Sequence, residues 1–330
     1  MKRNLFFTAL LAGCFLSCAA KGETSSNQEV ATNEGEASVV YFTKEITPEA
    51  LVKIYEQLGV PPTGKVAVKI STGESEKSYP LSPDLIKDLV QKVDGTLVEC
   101  NTLYTGNRHN GEVHRQAVAK RGYDKIAPVD IMDEDAQIAI AVNDSTWIHY
   151  DLVGANLPNY DYMINLAHFK GHQMGGFGGV LKNASIGVAS SNGKAYIHSA
   201  GKVTEGWGQP ESQDAFLESM AAAAQAVHNY FKQPGKDIVY INVMNNMSID
   251  CDCNGNPSAP VLADMGILAS TDPVALDQAC VDLVFNHQST EGDDSAPLVK
   301  RINQMHGTHT IDHAAKIGLG TKNYKIVSID

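Results

Sequence analysis

Basic residues are scarce in this chain of 330 residues, where 26 lysines and arginines stand against 38 aspartates and glutamates, for a formal net charge of −12. An acidic surface repels phosphates, so the composition argues against a nucleic-acid partner and against binding to anionic membrane surfaces. The sequence also lacks repeated Cys-x-x-Cys motifs, internal repeats and a serine in a nucleophile elbow, so hydrolysis is left without a convincing nucleophile. At 43% hydrophobic and 19% charged residues, the chain has the composition of a globular protein.

The N-terminus has the pattern of a bacterial lipoprotein signal peptide, which we place at residues 1–18. A basic start precedes the apolar run Leu5–Leu11, which is far shorter than the ~20 residues that span a bilayer. We expect lipidation at Cys18, with Cys14 as the alternative; an ordinary secretory signal is the other interpretation. Residues 19–38 are polar and predict a flexible tether. The sequence therefore predicts a cell-envelope protein on the periplasmic or extracellular face, held to the membrane by its lipid anchor only.

Residues 39–330 alternate strand-like and helix-like segments. Runs such as Lys65–Ser71 and Asp237–Met244 predict strands, and Asp272 followed by proline predicts the start of a helix. The alanine-rich stretch Gln213–Phe231 predicts the longest helix. This alternation indicates an α/β fold with a largely parallel central sheet flanked by helices, in a single large domain.

Three polar segments each follow a predicted strand, and they begin at Asn101, His168 and Asn245. Ligands of open α/β sheets bind beyond the carboxyl ends of the strands. We therefore expect the three segments to converge on one crevice.

The second of these segments is unusually rich in glycine, with two histidines and two lysines among the glycines. Glycine lets a ligand approach the backbone closely, so the run indicates a site for a metal, an anion or both. His168 and His172 are the candidate nitrogen ligands, and His172 is also a candidate general base. The candidate substrate-binding residues of this segment are Lys170, Lys182, Gly175, Gly176, Gly178 and Gly179.

The third segment contains Cys251 and Cys253. A Cys-x-Cys pair can direct both sulfurs to one soft metal ion or cluster. Two cysteines supply half of the usual four ligands, so a disulfide or two inert thiols remain alternatives. Cys280 lies in an apolar helical pattern that predicts a core residue, whereas Cys100 ends a strand beside the predicted crevice.

The first segment contains Tyr104 and Arg108. Arginine offers a bidentate fork to a carboxylate, phosphate or sulfonate, so both residues are candidates for binding an anionic substrate. An ordinary hydrogen-bonded turn is the alternative. Lys182 and Lys194 would add positive charge to the same pocket.

Several of these motifs together resemble the domain of unknown function 362 family, whose members are sometimes labelled uncharacterised Fe–S centre proteins, over roughly residues 40–328. The resemblance implies an α/β domain and an association with iron–sulfur chemistry, but no established reaction. Many members carry a ferredoxin-like segment that this chain lacks, and Val188 stands where members often have cysteine; both departures favour a single metal ion or no metal. The matching segments are Asn101–Arg108, His168–Gly179, Leu181–Asn183, Gly193–Lys194, His198, Cys251–Cys253, Asp264–Ala275 and Gly318–Gly320.

Two functions remain open on these observations. The first is a membrane-anchored protein with a metal or iron–sulfur site and a pocket for a small anion, suited to an oxidoreductase with an electron-transfer partner. The second is a metal-free module that binds a small anionic ligand and carries a Cys251–Cys253 disulfide.

Overall fold

The computed structural model describes residues 37–330. The predicted signal peptide, the candidate lipidation sites Cys14 and Cys18, and the tether up to residue 36 lie outside these residues. The strands are β1 (Ser38–Thr43), β2 (Val66–Lys69), β3 (Thr96–Glu99), β4 (Val129–Ile131), β5 (Gln137–Ala141), β6 (Tyr150–Gly154), β7 (Tyr162–His168), β8 (Lys170–His172), β9 (Gly176–Gly178), β10 (Asp237–Met244), β11 (Gly266–Ser270) and β12 (Tyr324–Ser328). The helices are α1 (Pro48–Gln57), α2 (Pro83–Lys92), α3 (Gly111–Arg121), α4 (Val180–Ala184), α5 (Ser191–His198), α6 (Gln213–Phe231), α7 (Pro273–Phe285), α8 (Ala296–Gln304) and α9 (Thr308–Lys316).

In the described part of the chain, eight strands form the main sheet in the order β12-β1-β11-β10-β7-β2-β3-β4. Only β11 runs against its neighbours among these eight, and every other pairing in the sheet is parallel. The remaining strands form two small antiparallel hairpins, β5–β6 and β8–β9. The predicted α/β fold with a largely parallel sheet is confirmed.

Strand β7 shows why the sheet is covered on both faces. Its side chains alternate across the sheet, and all but the last are buried. Ile164 and Leu166 pack in the apolar cluster that includes α1 and α2, whereas Met163 and Ala167 pack in the cluster that includes α4, α6 and α7. The protein therefore has three layers, with apolar cores on both sides of the central strands.

Side-chain caps mark the starts of α6 and α7, and of these two caps Asp272 was predicted from the sequence. Ser212 caps α6 by accepting from Ala215 N at 3.1 Å, and Asp272 caps α7 by accepting from the amides of Val274 and Ala275 at 2.9 and 3.1 Å. Short elements between residues 123 and 200, among them β4, β5, β6, α4 and α5, have no counterpart in the sequence prediction. None of the helices within residues 37–330 combines the length and the apolar character needed to cross a membrane.

Replacing Asp272 by alanine should destabilise the fold more than replacing another capping residue. Besides capping α7, Asp272 accepts from Ser38 Oγ at 2.8 Å and from Thr321 N at 2.9 Å, so it joins the chain near β1 and β12 to the helix. We expect Asp272→Ala to cost about 2–3 kcal/mol and Ser212→Ala about 1 kcal/mol, as measured by urea unfolding. Equal losses in the two variants would contradict this role of Asp272.

Candidate functional site

A cavity of about 320 Å³ lies at the carboxyl ends of the parallel strands, and we name it the strand-end cavity. The loops after β3 and β10, together with β8, which follows β7, contribute to its wall. Tyr104 and Arg108 come from the first, Cys251 and Cys253 from the second, and His172 from β8. The three segments that were expected to converge therefore meet at one edge of the sheet, because β3, β7 and β10 point the same way.

The two cysteines of the third segment are joined to each other. The Cys251–Cys253 disulfide spans a single intervening residue, with 5.3 Å between the two Cα atoms. Cys100 and Cys280 are free thiols, and both are buried. Of the alternatives that the sequence left open for the pair, this structure contains the disulfide.

Asp252, the residue between the cysteines, holds their loop to β7 and β8. Its carboxylate lies 2.9 Å from His168 Nδ1 and 2.9 Å from Lys170 Nζ, and all three side chains are buried. Burial by itself raises the pKa of Asp252, but the charges of His168 and Lys170 outweigh it and hold that pKa well below the usual range. The loop that carries the disulfide is thus fixed by a buried ionic network.

Two residues of this network were predicted from the sequence to bind a ligand: His168 a metal ion and Lys170 an anion. The second ring nitrogen of His168, Nε2, lies 2.6 Å from the carbonyl oxygen of Asn245, so both nitrogens face acceptors and neither is free for a metal ion. The ammonium group of Lys170 likewise forms an ion pair with Asp252, and Lys170 is absent from the wall of the strand-end cavity. The geometry argues against His168 as a metal ligand and against Lys170 as an anion ligand.

His172 faces the cavity as a neutral ring. Its Nδ1 accepts from Gly175 N at 2.8 Å, so the neutral imidazole carries its proton on Nε2. Burial lowers the pKa of His172 well below its ordinary value, and the nearby charge of Lys182 lowers it further. His172, Cys251 and Cys253 form a group whose ligand atoms lie within 4.8 Å of one another, and such a group could hold a metal ion.

Arg108 lines the cavity, but its guanidinium is already paired. Nε lies 3.1 Å from Glu74 and Nη1 lies 3.2 Å from Glu99, and all three side chains are buried. Tyr104 donates its hydroxyl to the carbonyl oxygen of Cys253 at 2.8 Å, which joins the first segment to the third. Neither side chain is therefore free to bind an anionic substrate as the sequence predicted, and both stabilise the cavity wall.

The unpaired positive charge of the cavity comes from lysines. Lys69 and Lys194 donate to carbonyl oxygens, of Ile70 and Ala189 respectively. Across residues 37–330, Lys182 Nζ has no hydrogen-bond acceptor or carboxylate within bonding distance, although it lines the cavity. Burial, followed by the charges of Arg108, Lys69 and Lys194, lowers the pKa of Lys182 to about 7.

The predicted glycines mainly allow chain segments to approach one another. A Cβ at Gly176, where φ is +79°, would lie 2.8 Å from the Cα of Gly307, and a Cβ at Gly179 would collide with the carboxylate of Asp277. A Cβ at Gly175 would lie a tight 3.3 Å from His172 Nδ1, and only Gly178 has ordinary surroundings; none of the four predicted glycines lines the strand-end cavity. The dense glycine run is explained by packing against α7 and the turn after α8.

Among the further residues that line the cavity, four carry chemistry that the sequence did not place in a site: Lys69, Glu99, His198 and Trp207. Lys69 and Glu99 end two apolar strands, and a charge inside such a run is a signal that could have identified them. His198 stacks on Phe216 with 5.0 Å between ring centroids, and its other side meets the exposed ring of Trp207. The resemblance had marked His198 without a role, and no local pattern marks Trp207.

A mostly parallel sheet with a charged cavity beyond its carboxyl edge defines this chain as an α/β protein with a crevice at that edge. The chain belongs to the family described as "Domain of unknown function (DUF362)", whose model matches residues 66–282, more than half of the sequence. No curated protein matches the chain.

Solved structures that resemble this chain include the following two. One is the lactate racemase apoprotein from Thermoanaerobacterium thermosaccharolyticum, at a TM-score of 0.45 and 11% identity over 75% of this chain and 57% of that one. The other is a structural-genomics target from Thermotoga maritima, at a TM-score of 0.38 and 14% identity over 61% of this chain and 50% of that one. This chain thus spans about half of the length of either structure.

Replacing Asp252 by asparagine should destabilise the protein strongly. The change leaves Lys170 buried without a counter-charge, so we expect a loss of about 3 kcal/mol at pH 7, against less than about 1 kcal/mol for Glu211→Gln in an exposed ion pair. Because the folded pKa of Asp252 is depressed, its contribution is present above the ordinary aspartate pKa of about 4 and is lost as the pH falls below it. Urea midpoints from pH 7 to pH 3 would show the gap between wild type and variant narrowing; a constant gap would contradict the ionic network.

Proposed function

We propose that this chain is a lipid-anchored envelope protein whose strand-end cavity binds a small anionic molecule beside a redox-active cysteine pair. The observation that carries the proposal is the unpaired ammonium group of Lys182 in the cavity wall. A cation that is partly withdrawn from water and has no counter-charge costs free energy, which suits a site whose counter-charge arrives with a ligand.

The charge balance of the cavity supports an anionic ligand. Its wall contains four cationic side chains, Lys69, Arg108, Lys182 and Lys194, and one carboxylate, Glu99, which already pairs with Arg108. The whole chain has a formal net charge of −12, so the cavity wall is opposite in sign to the protein as a whole. A cleft lined by one sign of charge concentrates ligands of the other sign.

The disulfide supports two parts of the proposal, the redox activity of the cysteine pair and the location of the protein outside the cytoplasm. Disulfides persist in oxidising compartments outside the cytoplasm, which fits the lipoprotein signal predicted at the N-terminus. Opening the Cys251–Cys253 bond takes two electrons and two protons, supplied by a dithiol or by an electron-transfer partner. Because both sulfurs border the cavity, such a change would take place next to the bound anion.

Anion binding should depend on Lys182 and on pH. We expect Lys182→Met to weaken the binding of small anions (acetate, lactate, phosphate, sulfate) about tenfold or more, and Lys300→Met on the surface to leave it unchanged. Because the pKa of Lys182 is about 7, its charge is lost as the pH rises through 7 and anion affinity should fall there. Titration calorimetry at pH 6 and pH 9 measures both effects; equal affinity in wild type and Lys182→Met for every anion would refute the proposal.

A metal site is the second candidate function, favoured by the closeness of His172, Cys251 and Cys253. The residues fit a single soft ion once the disulfide is reduced, with two thiolates and one imidazole as ligands and one position left for a ligand molecule. Iron–sulfur clusters take four protein ligands, and the described residues bring three together. Ligation by His172 through either nitrogen also requires that its Nδ1 gives up the hydrogen bond from Gly175.

Metal binding should require reduction of the cysteine pair. We expect the reduced protein to bind about one Zn²⁺ per chain and the oxidised protein to bind none, because thiolates are the ligands. Cys251→Ser/Cys253→Ser should abolish binding, and Cys280→Ala should not. Elemental analysis and absorption spectra of anaerobically purified protein measure which metal is bound. Iron with sulfide that is lost in the double variant would establish an iron–sulfur cluster instead of a single ion. Metal that the double variant retains would exclude this site.

A further inference from the structure

The lysines of the strand-end cavity differ in what their amines contact. Lys69 Nζ donates to Ile70 O and, at 3.1 Å, to Asn183 Oδ1, and Lys194 Nζ donates to Ala189 O. Among the described residues, Lys182 Nζ has no comparable partner. Its lone pair, when the proton is absent, is therefore free to react with a molecule in the cavity.

Lys182 is also held in a fixed position and reaches two spaces. It lies on α4, whose first two amides, of Val180 and Leu181, donate to the buried carboxylate of Asp277 at 3.0 and 2.9 Å. It lines both the strand-end cavity and a smaller void of about 30 Å³ that is shared with Cys251 and Cys253.

We propose that Lys182 is a nucleophilic amine that forms an imine with a small 2-oxo acid bound in the strand-end cavity. The inference rests on the proposed function, since it names the class of anion that the cavity takes. Lys69 and Lys194 would hold the carboxylate, while Lys182 attacks the neighbouring carbonyl carbon. The low pKa of Lys182 is consistent with this role, because an amine must lose its proton to attack.

The reaction balances without an oxidant or a metal. The amine lone pair forms the carbon–nitrogen bond while the carbonyl π pair moves to oxygen, which gives a carbinolamine. The oxygen then leaves as water with both amine hydrogens, and the carbon–nitrogen double bond remains. Addition of hydride from an external reductant would convert the imine to a stable secondary amine on Lys182.

The test traps this imine on the full-length protein. Wild type is incubated with pyruvate and sodium cyanoborohydride at pH 7, and modified lysines are located by peptide mass spectrometry. We expect an adduct on Lys182 with the mass of one pyruvic acid less one oxygen atom. Lactate, which has the carboxylate but no carbonyl, should bind without forming an adduct. Lys182→Arg, which keeps the charge without a nucleophilic amine, should lose the adduct, and Lys300→Arg on the surface should keep it.

Each result separates the two proposals. A Lys182 adduct that Lys182→Arg abolishes supports the inference. Adducts spread over exposed lysines and equal in wild type and Lys182→Arg overturn it, as does lactate binding by calorimetry without any pyruvate adduct on Lys182. In the latter case the anion-binding function stands. If none of acetate, lactate, phosphate, sulfate or pyruvate binds, the proposed function fails and the inference falls with it.

Discussion

The carboxylate of Asp252 lies between the side chains of His168 and Lys170, 2.9 Å from each. These two ion pairs connect the loop after β10 to the segment that follows β7, and they do so away from water, where an ion pair is strong only if its geometry is good. Cys251 and Cys253 are neighbours of Asp252, so the network fixes both sulfurs at the cavity wall. The loop would therefore remain in place when the disulfide opens, which is a condition for any reversible chemistry at the pair.

The same physical criterion separates structural from functional cations. Lys170 and Arg108 are each balanced by buried carboxylates, so their charges are satisfied within the chain and stabilise its loops. The one carboxylate that acts on Lys182, that of Asp252, already pairs with His168 and Lys170, and burial together with the neighbouring cations disfavours the charged form of Lys182. The folded protein thus places an amine where an incoming anion, or loss of the proton, lowers the free-energy cost of its partial burial.

Much of the fold was predictable because its determinants are local in sequence. Asp272 caps its helix through amides two and three residues away, and β7 is an apolar run whose burial follows from its composition. The position of the crevice followed from the parallel direction of the strands. Strand β4 was missed because it is only three residues long, whereas β5 alternates regularly, with Ile140 buried between exposed Ala139 and Ala141, and this signal in the sequence was overlooked.

The chemistry of the site was less predictable because it depends on partners that are distant in sequence. Arg108 looks like a free anion ligand until Glu74, 34 residues earlier, neutralises it, and His168 looks like a metal ligand until Asp252, 84 residues later, occupies it. Gly179 looks like a ligand contact until Asp277 is seen to fill the space above it. Lys182 is the converse case: a free amine is defined by the partners it lacks, and no local pattern can show such a lack. Its role in the site could therefore be inferred only by elimination, after every neighbouring charge had been paired.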